Sequence, residues 1–471
     1  MKLSVYVVGS NPLPVLMVLC YDLKLVNDVS EDHEKPRHIL FVQSKDTEKY
    51  VEGIKDWLYE KKIGIEISHA ELAYVHNSED AYRSVYKEMN SLYENYKRDG
   101  TNIDSLFLNN TGGTKVMSVS TTLAMIDIAK EKHISLLEAD VDPEEKKITV
   151  HDPIERCCKP SWSVVCKSLD GQFGGLIKTS DIIALHGYEP SKGGLKKPSY
   201  TLGSEDKTLA FAKELLDNIE PYRAFSGMFF ANKSAAYSKK TDDSIMTELD
   251  EIAGRTNVLN RFYNFDKDLK PTSSDPISKA FFESFSRKGF AGVEVFLKLL
   301  TDYGILNDEY HISMEKLRFL SGIWIEEYIC AAIEKIIGED NENGRYEVFN
   351  SFKIEPKAND RQRRKDTNFE IDVVFRNGIT TTFISCTTAE NQGLTNHKTL
   401  EVLANADSLG LRTQTIMVTL VSKAKMEKEN KNLLARYEMF AARHYRKLEI
   451  IHLEEVKDSE VLQDKLRKLL F

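Results

Sequence analysis

Short apolar runs alternate with amphipathic stretches over the first third of the chain. Six runs predict strands: Leu3–Val8, His38–Gln43, Ile65–Ile67, Ser105–Asn109, Ile134–Leu137 and Lys147–His151. Helical periodicity fills the intervals at about 14–26, 46–60, 79–97 and 115–131. This alternation predicts a mostly parallel sheet covered by helices. In such a sheet, ligands bind beyond the carboxyl ends of the strands, where the strand order reverses.

One turn in this region combines glycines with polar side chains. The apolar run 106–108 leads into Asn109-Asn110-Thr111-Gly112-Gly113-Thr114-Lys115, and helical spacing resumes with Val116, Val119, Leu123 and Ile126. The glycines allow a close backbone approach, and the start of a helix presents free N–H groups to an anion. Hydroxyls from Thr111, Thr114 and Ser118 and the charge of Lys115 strengthen that tendency. The turn predicts a phosphate-bearing ligand, and an ordinary glycine turn is the alternative.

The familiar nucleotide fingerprints are absent from these loops. The turn lacks the glycine spacing of a P-loop, and the first strand runs into Gly9-Ser10-Asn11-Pro12-Leu13-Pro14, which is not GxGxxG. A nicotinamide or flavin enzyme is therefore disfavoured. Three polar loops nevertheless fall at strand ends and should converge, namely Ser10-Asn11-Pro12, Gln43-Ser44 and Asn109 to Lys115.

The two glycine loops, in this chain order, resemble those of the CRISPR-associated Rossmann fold (CARF) sensor domain. The resemblance covers residues 1–155. It implies a homodimer that binds a cyclic oligoadenylate at the dimer interface, with cyclic tetra-adenylate preferred to cyclic hexa-adenylate. Carried over position by position, the ligand would face Ser10, Asn11, Gln43, Ser44, Thr111, Gly112, Gly113, Thr114 and Lys115, with Met117 as a further candidate.

The middle region, 156–312, predicts a connector followed by an insert. Turn-rich sequence extends to about residue 200, and amphipathic stripes over 201–310 predict helical and mixed structure. The aromatic residues at helical spacing are most simply core. A winged-helix-like or helical insert that relays the sensor to the next domain fits this pattern.

The third region, 313–471, changes pattern again. A helix is predicted over Met314–Ile337, followed by strands at about 345–353, 369–376 and 379–386. A helix at 396–408, a strand at 413–420, a helix at 426–446 and a strand at 448–452 complete the prediction. This order is that of the restriction-endonuclease-like α/β fold. The overall fold class is therefore α/β, with a doubly wound sensor and a second α/β domain.

A hairpin in this domain places two acids on one face. A two-residue loop at Asn377-Gly378 would pair Asp372 with Phe383 and Glu370 with Ser385. Glu370 and Asp372 then share a face with Ser385 and Thr387, whereas Ile371, Val373, Ile384 and Cys386 face the core. Neighbouring carboxylates are costly unless they are solvated or bind a cation such as Mg²⁺ or Mn²⁺. Both alternatives remain open from the pattern alone.

This region resembles the PD-(D/E)xK nucleases that accompany CARF sensors. Gly322-Ile323-Trp324-Ile325-Glu326-Glu327 matches the first helix of that family, and the resemblance assigns Glu326 and Asp372 as the metal ligands. The chain departs from the family where Ser385-Cys386-Thr387 replaces Glu-x-Lys. Candidates to replace the missing groups are Glu370 and Lys398, with His397 beside it, and the run Arg363-Arg364-Lys365 could contact phosphates.

Composition narrows the class of protein. The net charge of −9 argues against a general basic surface that coats nucleic acid. The six cysteines form no CxxC pair, which fits a reducing cytoplasm. No apolar run is long enough for a membrane span, and no signal peptide is expected.

The combined prediction is a cyclic-oligoadenylate-activated, metal-dependent nuclease acting on DNA or RNA in type III CRISPR antiviral defence. The alternative is a catalytically degenerate CARF protein. Such a protein would bind or sequester a cyclic oligoadenylate, or bind nucleic acid, without cleavage.

Overall fold

The computed structural model describes most of the chain. The described residues are 1–26, 34–72, 77–142, 147–154, 165–168, 173, 175–191, 197–223, 291–306, 314–338, 341, 344–357, 369–388, 398–399, 401–406, 413–428 and 448–471. Residues 224–290 of the predicted insert lie outside them. So do Arg363, Arg364, Lys365 and His397.

The N-terminal region folds around a Rossmann-like sheet, as predicted. Its strands are β1 (Lys2–Val7), β2 (Pro36–Ser44), β3 (Glu66–Leu72), β4 (Ser105–Asn109), β5 (Ser135–Asp142), β6 (Lys147–His151) and β7 (Val165–Ser168). Their order is β3-β2-β1-β4-β5-β6-β7. The first five strands are parallel, and β6 and β7 are antiparallel. The order therefore reverses between β1 and β4, which places their carboxyl ends at the switch point.

Helices cover both faces of this sheet. They are α1 (Leu13–Asp22), α2 (Glu48–Glu60), α3 (Ser78–Arg98) and α4 (Lys115–Lys132). The first two pack on the face of Tyr6, Phe41 and Phe107. The other two pack on the opposite face, with Val5 and Leu108. Successive strand residues alternate between the two hydrophobic layers, as a sheet covered on both sides requires.

The apolar stripe that predicted α4 does not face the core. Val119 is 58% exposed and Leu123 is 52% exposed. The core face of α4 is formed instead by other side chains, namely Met117, Thr121, Ala124, Met125 and Ile128. The helix was predicted correctly, but Val119 and Leu123 of this stripe face solvent in the single chain, whereas Val116 and Ile126 are half-buried.

The connector contributes to both halves of the molecule. It contains α5 (Thr179–Leu185) and β8 (Tyr188–Pro190) and is followed by α6 (Glu205–Asp217). A Cβ on Gly53 of α2 would come within 3.1 Å of Leu185 Cα, so α2 and α5 pack closely. Strand β8 then pairs with the second sheet. The connector is thus packed against the N-terminal domain at one end and hydrogen-bonded to the second domain at the other.

The C-terminal sheet combines antiparallel and parallel pairs. Its further strands are β9 (Tyr346–Pro356), β10 (Phe369–Asn377), β11 (Thr380–Thr387), β12 (Gln414–Thr419) and β13 (Leu448–Ile451). The order is β13-β12-β11-β10-β9-β8. Strands β8 to β11 pair antiparallel, whereas β11, β12 and β13 pair parallel. Residues 398–399 and 401–406 are helical and supply Val402 and Ala406 to one of its faces.

The long helix predicted over Met314–Ile337 is interrupted. After α7 (Ala291–Asp302), the chain forms α8 (Met314–Arg318), a π-helical turn (Phe319–Ile323) and α9 (Trp324–Ile337). Gly322 has non-helical angles, φ 161° and ψ −24°. The chain ends with α10 (Leu453–Lys457) and α11 (Ser459–Leu470), which the sequence analysis missed. Within the described residues, no helix is long and apolar enough to cross a membrane.

The hairpin between β10 and β11 has a different register from the one predicted. Asn377 pairs with Thr380 and Val374 pairs with Phe383, so the turn lies at Gly378 and Ile379. Asn377 stays in the strand because its side chain accepts from Arg345 Nε at 2.9 Å and donates to Leu470 O at 3.0 Å. The pairing of Asp372 with Phe383 was therefore wrong. Val373, Ile384 and Cys386 still share one hydrophobic layer, and Asp372 remains beside Ser385. The placement of Ile371 in that layer was wrong, because Ile371 packs with Val374 and Phe383 on the other face of the sheet.

Candidate functional site

Two glycine loops meet at the switch point of the sensor sheet. A Cβ on Gly9 would lie 2.3 Å from the amide nitrogen of Gly113. A Cβ on Gly112 would lie 2.1 Å from the carbonyl oxygen of Val7. No side chain fits at either position without displacing backbone. The predicted convergence of these loops is therefore present, and it depends on backbone contact.

Side-chain hydrogen bonds hold the second glycine loop in shape. Ser118 Oγ donates to the carbonyl oxygens of Asn110 and Gly112, both at 2.9 Å. Thr111 Oγ1 accepts from Asn109 Nδ2 at 2.7 Å. Thr114 precedes α4 and caps it, because its Oγ1 accepts from Met117 N at 3.3 Å. These hydroxyl groups hold the turn through hydrogen bonds. Gly113 has a φ of 78°, which lies in the left-handed region that favours glycine.

The remaining predicted ligand residues differ in their exposure. Ser10, Gly113, Thr114 and Lys115 are exposed at the rim of the loops. Asn11 is half-buried, and its Oδ1 accepts from Leu13 N at 3.3 Å where α1 begins.

The polar residues at the carboxyl end of β2 are buried. The amide of Ser44 donates to Thr47 Oγ1 at 2.9 Å, in the turn that leads into α2. Gln43 is 3% exposed, and its Oε1 accepts no hydrogen bond from the described residues.

The sequence analysis missed a polar chain behind the glycine loop. Asn110 Nδ2 donates to Thr122 Oγ1 at 3.1 Å and also to Glu138 Oε1. Glu138 Oε2 lies 3.0 Å from His151 Nε2. The contacts link β4, β5 and β6 beneath the loop. Their members are far apart in sequence and form no motif, so no sequence signal could have identified them.

Asp372 is the centre of the predicted effector site. It is 7% exposed, and its Oδ2 accepts from Ser385 Oγ at 2.9 Å and from Cys386 N at 2.7 Å. Lys398 Nζ lies 3.4 Å from the other oxygen, Oδ1. Lys398 belongs to the helical residues after β11, and its side chain reaches Asp372 on β10. The side chain of Ser385 is a hydrogen-bond donor to Asp372.

Lys398 is held among carboxylates. Its Nζ also lies 3.6 Å from Glu401 Oε2. Burial would lower the pKa of Lys398, but the negative charges of Asp372, Glu401 and Glu326 raise it above its ordinary value. The side chain is therefore a cation at neutral pH, with an anionic group on each side.

Glu326 in the first turn of α9 faces the same site. Its Oε2 accepts from Ser351 Oγ on β9 at 3.1 Å. Burial, followed by the negative charge of Asp372, raises the pKa of Glu326 well above its usual range. The neighbouring Glu327 is buried and accepts from Thr201 N at 2.9 Å and Thr201 Oγ1 at 2.6 Å.

The other candidates are placed differently. Glu370 is exposed, pairs across the ladder with Lys353 and lies 3.3 Å from its Nζ. It is not opposite Ser385, because the hairpin register differs by two residues. Thr387 is buried and pairs with Thr419 of β12.

The residues that could hold a metal ion are two carboxylates. No group of three or more His, Cys, Asp or Glu side chains suited to a metal occurs in the described part of the chain. Burial raises the pKa of the Cys330 and Cys386 thiols above its ordinary value. Mg²⁺ commonly binds one or two carboxylates and keeps several waters. Glu326 and Asp372 fit that requirement, and a cation would relieve their mutual repulsion.

Comparison with known proteins agrees with the N-terminal part of this description. Residues 20–137 match the family model described as the Card1 CARF domain. That segment runs from α1 to the start of β5 and contains the glycine turn at 112–113. A search of curated proteins finds no match.

Two solved structures resemble the whole chain. One is protein VC1899 from Vibrio cholerae, with a TM-score of 0.60, 14% sequence identity and coverage of 99% of this chain and 98% of that one. The other is Can2 from Sulfobacillus thermosulfidooxidans in complex with cyclic tetra-adenylate. Its TM-score is 0.54, with 13% identity and complete coverage of both chains at 100%. At these identities the likeness is one of fold.

Proposed function

We propose that this protein is a cyclic-oligoadenylate sensor joined to a metal-dependent nuclease that acts on DNA or RNA in type III CRISPR defence. The observation that carries the effector half is the approach of Lys398 to Asp372. Lys398 thereby places a lysine beside the strand acid, although Thr387 occupies the position where the related nucleases have their lysine. The sensor half is supported by the match of residues 20–137 to the Card1 CARF domain.

The glycine loops suit a cyclic oligoadenylate, with cyclic tetra-adenylate the first candidate. The start of α4 offers N–H groups and the positive end of a helix dipole, and Lys115 is exposed beside them. Can2, which shares the fold over its whole length, has a structure in complex with cyclic tetra-adenylate. Phosphates of the ring would contact the loop 111–115, and the buried amide of Gln43 would lie deeper at the sheet edge.

A homodimer is the proposed assembly. The outward stripe on α4 begins one turn after the glycine loop, and Val119 and Leu123 are both more than half exposed. Val119 and Leu123 are one helical turn apart, so together they would form a small apolar contact on one face of α4. A ring of four identical nucleotides can have twofold symmetry, which matches the symmetry of a dimer with two equal loops.

The effector residues can each perform a defined task on a phosphodiester. A divalent cation such as Mg²⁺ or Mn²⁺, when bound, supplies the positive charge that favours attack on phosphorus. Glu326 and Asp372 would hold it from a helix and a strand. Lys398 would donate to the developing negative charge. Ser385 and Cys386 N fix the Asp372 carboxylate so that its second oxygen faces the site.

The test is cleavage of a plasmid and of single-stranded DNA and RNA oligonucleotides with Mn²⁺, with and without cyclic tetra-adenylate. We expect ligand-stimulated cutting by the natural protein and its loss in Asp372→Asn. Glu460→Gln, which changes an exposed acid on α11, is the control and should keep activity. Ligand binding without any cleavage, or full activity in Asp372→Asn, would contradict the nuclease. The first result would instead favour the degenerate, ligand-sequestering protein.

A further inference from the structure

Ser351 has a backbone conformation that is rare inside a strand. Its φ is +47°, in the left-handed region, although it lies within β9. The other described non-glycine residues with positive φ are Lys24, Lys62 and His133. Each of those lies just after a helix, where a left-handed residue commonly ends the helix.

The position of Ser351 in the sheet is equally specific. On β9 and β10, Asn350 pairs with Val373 and Phe352 pairs with Ile371. Ser351 therefore lies across from Asp372, and the regular ladder is interrupted between these two pairs. Strain of this kind persists only where the surrounding structure imposes it, and it concentrates at functional sites.

The consequence of this conformation is a contact with the neighbouring helix. Ser351 Oγ donates to Glu326 Oε2 at 3.1 Å. On the other side of β10, Ser385 Oγ donates to Asp372 Oδ2 at 2.9 Å. Two serines on the flanking strands thus each orient one of the two carboxylates, and the left-handed turn at Ser351 directs its hydroxyl toward α9.

We propose that Ser351 is a positioning residue that holds the Glu326 carboxylate toward Asp372 for a shared divalent cation. The proposal rests on the nuclease site described above. Partners that orient a metal ligand without touching the metal commonly change metal affinity by about 10- to 100-fold when they are removed. The left-handed backbone at this position accompanies the hydrogen bond from Ser351 to Glu326.

The experiment separates the hydroxyl from the backbone. Ser351→Gly removes the hydroxyl and accommodates the left-handed angle, so folding should be kept. We expect its Mn²⁺ affinity to fall about 10-fold or more, measured by calorimetric titration of the free protein without nucleic acid. Ser351→Asn tolerates the same angle and offers an amide donor, so it should recover part of the affinity.

Lys62→Gly is the matched control. Lys62 is exposed, has φ +56° and lies after α2, so the variant tests the same backbone change away from the site. Its Mn²⁺ affinity should equal that of the natural protein. Equal affinity in Ser351→Gly, or misfolding of both Ser351 variants, would overturn the positioning role while leaving the nuclease proposal intact. If the natural protein did not bind Mn²⁺, both the positioning role of Ser351 and the proposal of a metal-dependent nuclease would be overturned.

Discussion

Arg376 and Glu347 form an ion pair where the two halves of the molecule meet. Arg376 Nε lies 2.7 Å from Glu347 Oε2, which joins β10 to β9. Thr179 donates to the same carboxylate oxygen from its amide at 2.8 Å and from its hydroxyl at 2.7 Å. Thr179 begins α5, and α5 packs against α2 of the sensor. A sensor helix and the effector hairpin therefore share one connector.

Further contacts support this junction. Lys357 Nζ, just after β9, lies 3.2 Å from Asp56 Oδ2 on α2. The rings of Tyr50 on α2 and His186 after α5 meet edge to face, with centroids 6.1 Å apart. Since α2 begins shortly after Gln43 and Ser44, a ligand that displaces α2 would act on α5 and on the Glu347 pair.

Replacement of Glu347 should destabilise the fold in a pH-dependent way. Burial would raise the pKa of Glu347, but Arg376 and the Thr179 hydrogen bonds bring it below its usual value. For a carboxylate with a lowered folded-state pKa, the stabilisation is present above the unfolded-state pKa and is lost as the pH falls through the folded-state pKa.

Glu347→Gln should therefore lower the free energy of unfolding by about 2 kcal/mol at neutral pH, because Arg376 loses its charged partner in a buried position. The difference should shrink in acid. Urea unfolding of the variant and the natural protein, at neutral pH and in acid, measures this difference in unfolding free energy. Glu370→Gln, which changes an exposed acid, is the control. If the difference in unfolding free energy stayed constant with pH, a stabilising negative charge on Glu347 would be contradicted.

Replacement of Lys398 should strongly reduce cleavage and leave ligand binding by the N-terminal domain unchanged. Lys398→Met is expected to reduce cleavage about 100- to 1,000-fold, because a preorganised charge at the reacting phosphate is lost. Lys398→Arg should retain part of the activity. Lys353→Met removes a comparable lysine that faces exposed Glu370 and should cut normally. Equal binding of cyclic tetra-adenylate by all variants, measured by calorimetry, would locate the defect in the effector.

A methyl group at Gly112 should disrupt the sensor. Its Cβ would lie 2.1 Å from Val7 O, so the loop or β1 must move. We expect Gly112→Ala to lose measurable cyclic tetra-adenylate binding and to destabilise the protein by about 1–3 kcal/mol. Gly64→Ala is the control, because no atom lies within 4 Å of its added Cβ. Normal ligand affinity in Gly112→Ala would contradict the placement of the site.

Charges on the outward face of α4 should dissociate the proposed dimer. Val119→Glu combined with Leu123→Glu places two like charges in an interface that would otherwise bury apolar side chains. The mass in solution, measured by light scattering, should fall from that of a dimer to that of a monomer. Val461→Glu, at an exposed apolar position on α11, should remain dimeric. A natural protein that is monomeric both alone and with ligand would contradict the assembly.

The alternation of elements and the placement of the chemistry at strand ends followed from the sequence. Local periodicity and turn residues report on backbone conformation over a few residues, which is why β1, β4 and α1 to α4 could be predicted. The convergence of the loops that follow β1 and β4 was predicted as well, since parallel strands end at one edge of the sheet. The backbone contact between Gly9 and Gly112 was not predicted. Glu326 lies near Asp372, as the resemblance implies, but its assignment as a metal ligand stays a prediction.

Tertiary contacts decided the rest. The hairpin register changed because Leu470, at the far end of the chain, binds Asn377. Lys398 was one of several candidates in the sequence, and its 3.4 Å contact with Asp372 appears only in the fold. Val119 and Leu123 have the spacing of a core stripe, but they are exposed on α4. The left-handed angle at Ser351 has no sequence signal, because serine seldom adopts it and Glu326 is 25 residues away along the chain. Local pattern determined which elements form, whereas register, strain and side-chain partners depended on distant residues that only folding brings together.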